Sequence, residues 1–408
     1  MLGAMSTLRS AFVVDAVRTP IGRFKGGLAS VRGDDLAAHI LVSLAKRNGS
    51  LFERLDQIVF GATNQAGEDN RNVARMAGLI AGLPYEVPGV TVNRLCGSGL
   101  EAVCDAVRRV ATGEADVVAA GGVESMTRAP FVFGKTEEAY SRTPPKTYDT
   151  TIGWRFENPR MADRFPLLAM GETAEEVATK WKITREEQDA FALGSQKKAA
   201  AAVAAGGFDR EIVPVTIPAA KGKGAEPVVF AKDESPRGDT TLEALAKLAA
   251  VFRKGGTVTA GNSSPINDGA SGVLVVSEDV VRAHKLEPLG RVVAHAAAAV
   301  HPNVMGEGPI PAGTKALARA GWKATDLDLV ELNEAFAAQA LACVRGLELD
   351  PAKVNVQGGA IALGHPIGSS GARILGTLLW AMKARGAKRG MAALCIGVGQ
   401  GIAMAVER

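Results

Sequence analysis

The order of apolar runs and amphipathic segments repeats between the two ends of this 408-residue chain, which constrains the fold more than any single motif. In the first part, AFVVDAV and QIVFGAT have the length and apolar content of buried strands. DDLAAHILVSLAKR and NVARMAGLIAGL place apolar residues at i, i+3 and i+4, the spacing of a helix face. TVNR then enters a glycine turn, LCGSG, ahead of the helix GLEAVCDAVRRVATG and the strand ADVVAAGGV. In the last part the order returns as RVVAHAAAAV, GTKALARAGW, LDLVEL and FAAQALACVRGL. VNVQGG, a loop ending GSSG, the helix ARILGTLLWAMKARG and the strand AALCIGV complete it. The unit is too long for a solenoid repeat and predicts duplicated α/β units with mainly parallel strands covered by helices.

Between the copies the pattern breaks into Pro- and charge-rich pieces such as RTPPKTYDTTIGWRFENPRMADRF. We expect an N-terminal core half at 1–124 with 263–288, an inserted loop domain at 125–262 and a C-terminal core half at 289–408. The insert carries one strong helix signal, ITREEQDAFALGSQKKAAAAV, where Thr184 and Glu187 have capping-box spacing. An insertion of this size beside a core commonly covers or shapes a site.

Charge and cysteine usage remove several function classes. The formal charge is only +4 with both signs interspersed, so no nucleic-acid partner is expected. No apolar run suits a membrane span, and the N-terminal stretch lacks the pattern of a secretory signal, so the expected location is the cytoplasm. The four cysteines, Cys96, Cys104, Cys343 and Cys395, are far apart and form no C-x-x-C pair, so neither a metal site nor a disulfide framework is expected. Glycine, 47 residues, exceeds the usual share, as expected of a chain that brings backbones close together.

Cys96 lies at a strand-to-helix turn in N-R-L-C-G-S-G, where the positive helix end would favour a thiolate nucleophile. Position alone leaves a small packed cysteine equally open. Cys104 and Cys343 lie in apolar helix faces and read as core. His365, in G-G-A-I-A-L-G-H-P-I-G-S-S-G, precedes the second copy of the helix that Cys96 opens in the first. A pseudo-twofold arrangement brings those loops together and gives the cysteine a base. His39, His284, His295 and His301 have ordinary surroundings and no assigned role. Cys395 ends a strand before I-G-V-G-Q-G, whose glycines allow close backbone approach and exposed N–H donors, or simply a hairpin turn. Asn333 and Glu334 end another strand in E-L-N-E-A-F; Asn333 also reads as a helix N-cap.

Together V-N-R-L-C-G-S-G, G-G-V-E-S-M-T-R-A-P, N-E-A-F-A-A-Q, G-G-A-I-A-L-G-H-P-I-G and C-I-G-V-G-Q-G resemble the signatures of the thiolase family, nearly end to end. The resemblance implies a five-layered αβαβα fold of two similar halves plus a loop domain, assembled as a homodimer or homotetramer. It implies that Cys96 attacks the 3-keto carbon of a 3-oxoacyl-CoA, with His365 accepting its proton. Cys395 then protonates the acetyl-CoA enolate. His365 and a water held by Asn333 face the enolate oxygen, and the N–H groups of Cys96 and Gly397 form the oxyanion hole. Coenzyme A is a substrate in this scheme, with no permanently bound cofactor. Arg237 and Ser264 are implied contacts of its adenine-phosphate and pantetheine parts, and Met305 and Phe336 of the acyl pocket.

Ser263, Ser264 and Pro265 depart from the A-S-G usual after A-G-N, which weakens the pantetheine assignment. The loop domain has T-T-I-G-W-R-F-E-N-P where biosynthetic acetoacetyl-CoA thiolases carry a histidine. With R-A-P-F-V, L-C-G-S-G-L and C-I-G-V-G-Q-G, that segment most resembles thiolases acting on 3-oxoadipyl-CoA in the degradation of aromatic compounds. Arg155 is then a candidate partner for the terminal carboxylate, against the alternative of a solvated loop arginine. A short-chain acetyl-CoA acetyltransferase remains the other substrate reading. A ketoacyl synthase would lack Cys395, and a non-catalytic binding protein would lose Cys96 or His365. No G-x-G-x-x-G opens a first βαβ unit, which removes a nicotinamide dehydrogenase.

Overall fold

The computed structural model describes residues 8–219 and 226–408. The first half runs through β1 (Ala11–Arg18), β2 (Gly22–Arg23), α1 (Gly33–Asn48), β3 (Gln57–Gly61), α2 (Val73–Ile80), β4 (Gly89–Val92), α3 (Ser98–Thr112) and β5 (Val117–Ser125). The insert contributes β6 (Phe131–Phe133), β7 (Thr147–Asp149), α4 (Pro159–Ala162), α5 (Met170–Trp181), α6 (Arg185–Ala204), β8 (Val215–Ile217), β9 (Val228–Phe230) and α7 (Leu242–Ala246). Thr184 caps α6 through a reciprocal box with Glu187, as its spacing predicts. The chain then re-enters the core with β10 (Asn267–Ser277) and α8 (Glu278–His284).

The second half repeats the plan. It consists of β11 (Gly290–Ala299), α9 (Pro309–Ala320), β12 (Leu329–Leu332), α10 (Ala337–Gly346), α11 (Ala360–Leu363), α12 (Ile367–Arg385), β13 (Arg389–Ile396) and β14 (Gln400–Glu407). The strand order is β12-β13-β14-β11-β1-β10-β5-β3-β4. Parallel β3–β5 corresponds to parallel β12–β13, and the antiparallel returns of β10 and β14 also correspond. An isolated parallel bridge from Val330 to Val354 stands where β4 lies in the first half. The halves join through Phe12↔Arg291 and Val13↔Gly290.

The expectation of mainly parallel strands is therefore corrected: β3, β4, β5 and the pair β12–β13 are parallel, but β1, β10, β11 and β14 pair antiparallel. The cause is two long strands without a crossover helix in front of them. β14 follows β13 through a tight hairpin, and β10 arrives from the insert.

Helices α3 and α12 form the middle layer, each packed against both halves; α1, α2 and α8 cover the outer face of the first half and α9 and α10 that of the second. The largest apolar cluster joins Leu100, Val103, Cys104 and Val107 of α3 to Ile374, Leu375 and Leu378 of α12. Glycine permits this approach: a Cβ on Gly99 would meet Ala372 N at 2.8 Å, and one on Gly371 would collide with Leu100 N. The N-termini of the two central helices consequently meet, and the loops that precede them carry Cys96 and His365. No helix among the described residues is long and apolar enough to cross a membrane.

Candidate active site

The cysteine loop is held in an uncommon conformation. Leu95 has φ +45°, a left-handed geometry that costs a γ-branched residue of order 1–3 kcal/mol. Its N–H donates to Asn93 Oδ1 at 2.9 Å, and Ser98 Oγ bridges the turn by donating to Leu95 O (2.7 Å) and accepting from Arg94 N (2.9 Å). Arg94 ties the loop to the opposite half, pairing with Glu101 at 2.9 Å and donating to Gln400 Oε1 at 3.1 Å.

The N–H groups of Gly397 and of Cys96 itself face the Cys96 sulfur. Burial pushes its thiol up to about 11, and those two donors offset only part of the effect. The thiolate expected from helix position alone is thus corrected: desolvation outweighs the helix end, and the resting group is a thiol that needs a base. Gly397 belongs to the β13–β14 hairpin, where Ile396 pairs with Gln400 and Val398 is forced to φ +63°. Cys395 is the last residue but one of β13, fully buried, its thiol raised by desolvation and by the neighbouring Cys96. It shares an apolar cluster with Met170, Ala174, Val258, Met305, Ala335 and Phe336.

His365 is buried and held by three contacts. Its N–H donates to Asn267 Oδ1 at 2.9 Å, Nδ1 lies 2.6 Å from Ser370 Oγ, and Nε2 lies 3.4 Å from Asn333 Nδ2. Ser370 Oγ donates to Pro366 O at 2.9 Å, so toward the ring it accepts. That assigns the proton to Nδ1 and leaves the Nε2 lone pair beside Asn333. Burial, reinforced by Arg373, drives the imidazole down to about 3, so it rests neutral. Asn333 is buried with its Oδ1 unpartnered, and the helix after it starts at Ala337, so it is not the N-cap that its position also allowed.

Among the other candidates, Ser264 donates its N–H to Ala335 O at 2.9 Å, which puts it beside the Cys395 cluster. Phe336 packs edge-on against Phe252, centroids 6.2 Å apart, and Met305 lies in the same cluster. Arg237 is held by its backbone, whose N–H donates to Gln196 Oε1 at 2.7 Å, and its side chain is exposed. Four residues of the site escaped the sequence reading. Asn267 anchors His365; Ser370 sets its tautomer; Met170 contacts the Gly397 turn; and Glu124 accepts from Thr63, Asn64 and, at 2.9 Å, from Gly368 N at the start of α12. Burial raises the Glu124 carboxyl to about 7. Glu124, inside the quoted G-G-V-E-S, and Ser370, inside the quoted G-H-P-I-G-S-S-G, carried a signal; Asn267 and Met170 did not.

The close approach of α3 and α12 thus sets the loops that carry Cys96 and His365 at the meeting helix ends, and Cys395 on the β13–β14 hairpin neighbours Cys96. The model of the thiolase N-terminal domain matches residues 11–279, and that of the thiolase C-terminal domain residues 286–408. The chain belongs to the thiolase family. A beta-ketoadipyl-CoA thiolase of Acinetobacter baylyi is 53% identical over 404 residues, covering 98% of this chain and 100% of that relative. A 3-oxoadipyl-CoA/3-oxo-5,6-dehydrosuberyl-CoA thiolase of Escherichia coli K12 is 52% identical with the same coverage. The structure of human mitochondrial 3-ketoacyl-CoA thiolase in complex with CoA superposes with a TM-score of 0.90 at 40% identity, covering 98% of each chain. The five-layered fold of this thiolase is that of its solved relatives.

Proposed function

We propose that the protein cleaves 3-oxoadipyl-CoA with CoA to give acetyl-CoA and succinyl-CoA. The observation that carries the chemistry is the convergence of the Gly397 and Cys96 N–H groups on one sulfur, with a neutral imidazole on the facing loop. Cys96 attacks the 3-keto carbon while His365 Nε2 takes its proton, and the two N–H groups receive the oxyanion. The C2–C3 bond breaks, leaving acyl-Cys96 and an enolate whose oxygen faces His365 and a water on Asn333. Cys395 protonates its carbon. CoA then takes the acyl group; its thiol proton restores Cys395, and the proton on His365 returns to Cys96. Arg237 and Ser264 hold CoA, while Met305 and Phe336 line the acyl pocket.

The identity to beta-ketoadipyl-CoA thiolases over the whole chain supports the substrate. The strand ends at Ser125 and the starts at Asn267 and Gly290 support division into 1–124 with 263–288, 125–262 and 289–408. We place the enzyme in the cytoplasm as a homodimer or homotetramer. Thiolysis of acetoacetyl-CoA, 3-oxohexanoyl-CoA and 3-oxoadipyl-CoA side by side tests the reading. A clear preference for the dicarboxylate is expected, and equal rates would refute it. Cys96→Ser should abolish acyl-enzyme in mass spectrometry. Cys395→Ala should still acylate from acetyl-CoA but lose exchange of the acetyl methyl protons with D2O.

A further inference from the structure

The apolar cluster around Cys395 poses a problem for an acyl group that ends in a carboxylate. Met170, Ala174, Val258, Met305, Ala335 and Phe336 offer no cation, and His365 is neutral. Arg94, close to the nucleophile, is already committed to Glu101 and Gln400. An ionised carboxylate entering this pocket needs a charge partner from outside it, since an unpaired buried anion is costly.

The insert supplies one. Its 150–170 segment is pinned at one end by Thr150, which donates to Pro130 O at 2.6 Å and accepts from Asn64 Nδ2 at 2.9 Å, beside the Glu124 anchor. At the other end Met170 packs on the Gly397 turn, and Phe165 stacks edge-on against His301 at 5.5 Å. The segment thus runs from Thr150, beside the first half's strand ends, to Met170, beside the second half's hairpin that holds Gly397 and Cys395. Trp154 braces the segment by donating Nε1 to Leu168 O at 3.1 Å. Arg155 follows directly. Of the lysines and arginines between Met126 and Met170, Arg155 alone is half-buried, the others being exposed. Among the described residues it forms no ion pair, whereas Arg128 pairs with Glu68 at 2.5 Å.

We propose that Arg155 is the specificity-determining residue, receiving the terminal carboxylate of the acyl group in a bidentate pair. The assignment rests on the 3-oxoadipyl-CoA reading above. It is tested by kcat/KM of wild type, Arg155→Met and Arg155→Lys with 3-oxoadipyl-CoA and with 3-oxohexanoyl-CoA, which has the same carbon count and a methyl end. Loss of one charge-assisted pair should lower the ratio of the two values about 10- to 100-fold in Arg155→Met, with partial recovery in Arg155→Lys. A wild-type preference that survives Arg155→Met would overturn the role of Arg155 while leaving the substrate standing. Equal falls on both substrates would make Arg155 structural and overturn the proposal. A wild type with no preference would overturn the substrate reading itself.

Discussion

Removing the Cys96 proton depends on an imidazole whose free nitrogen is fixed by one hydroxyl. Ser370→Ala takes away the acceptor for His365 Nδ1–H, and a buried donor left unpaired costs about 1–3 kcal/mol. We expect kcat for thiolysis to fall roughly tenfold or more with KM little changed, measured by steady-state kinetics. The same imidazole contributes to acid stability. Its folded pKa, about 3, lies below the ordinary value of 6.5, so the unfolded chain takes the proton first as pH falls. Its contribution is whole above pH 6.5 and is lost progressively toward pH 3, at about 1.4 kcal/mol per unit. His365→Gln should flatten that part of the Tm-against-pH curve; His39 and His295 add slope of the same sign, and the raised carboxyls of Asp69, Glu124 and Glu331 oppose it. At this scale Cys96, His365 and Cys395 were legible because each stands at a strand-to-helix or strand-to-turn junction marked by glycine. The roles of Asn267 and Ser370 were not, because their work is done across nearly 100 residues or within one helix turn.

At the scale of elements, the central helix pair sets how far apart the catalytic loops lie. Gly371→Ala places a methyl against the backbone of α3, and relief requires the two helices to part. Overpacking of this kind typically costs 1–3 kcal/mol. We expect a lower urea midpoint at unchanged m-value, together with slower acylation of Cys96, because both loops ride on the shifted helix ends. The repeat made α3 and α12 readable, since each opens after a glycine turn and keeps a long apolar face. It did not reveal β10 or β14. β10 mixes Asn267, Asp268 and Ser271 into a strand with every residue buried, so alternation is absent and only the short run Val273–Val276 signals it. β14 follows a three-residue turn directly after β13, inside a segment that reads as one glycine-rich loop, G-V-G-Q-G.

For the molecule as a whole, β4 ends the sheet with one side unpaired among the described residues, and the helix beside it exposes Leu79 and Ile80, with Tyr85 just beyond. An open edge flanked by apolar surface supports self-association there. On the proposed homodimer or homotetramer, Leu79→Glu with Ile80→Glu should shift the mass seen by light scattering toward the monomer, with the circular dichroism spectrum unchanged. The joining of the two halves has a consequence for how such a site can arise. Two separate, identical halves related by a twofold axis would present the same side chain in both central loops, thiol facing thiol or imidazole facing imidazole. Covalent linkage in tandem frees each copy to diverge, so the heterogeneity that proton transfer requires is a property of the fused chain and not of the folding unit.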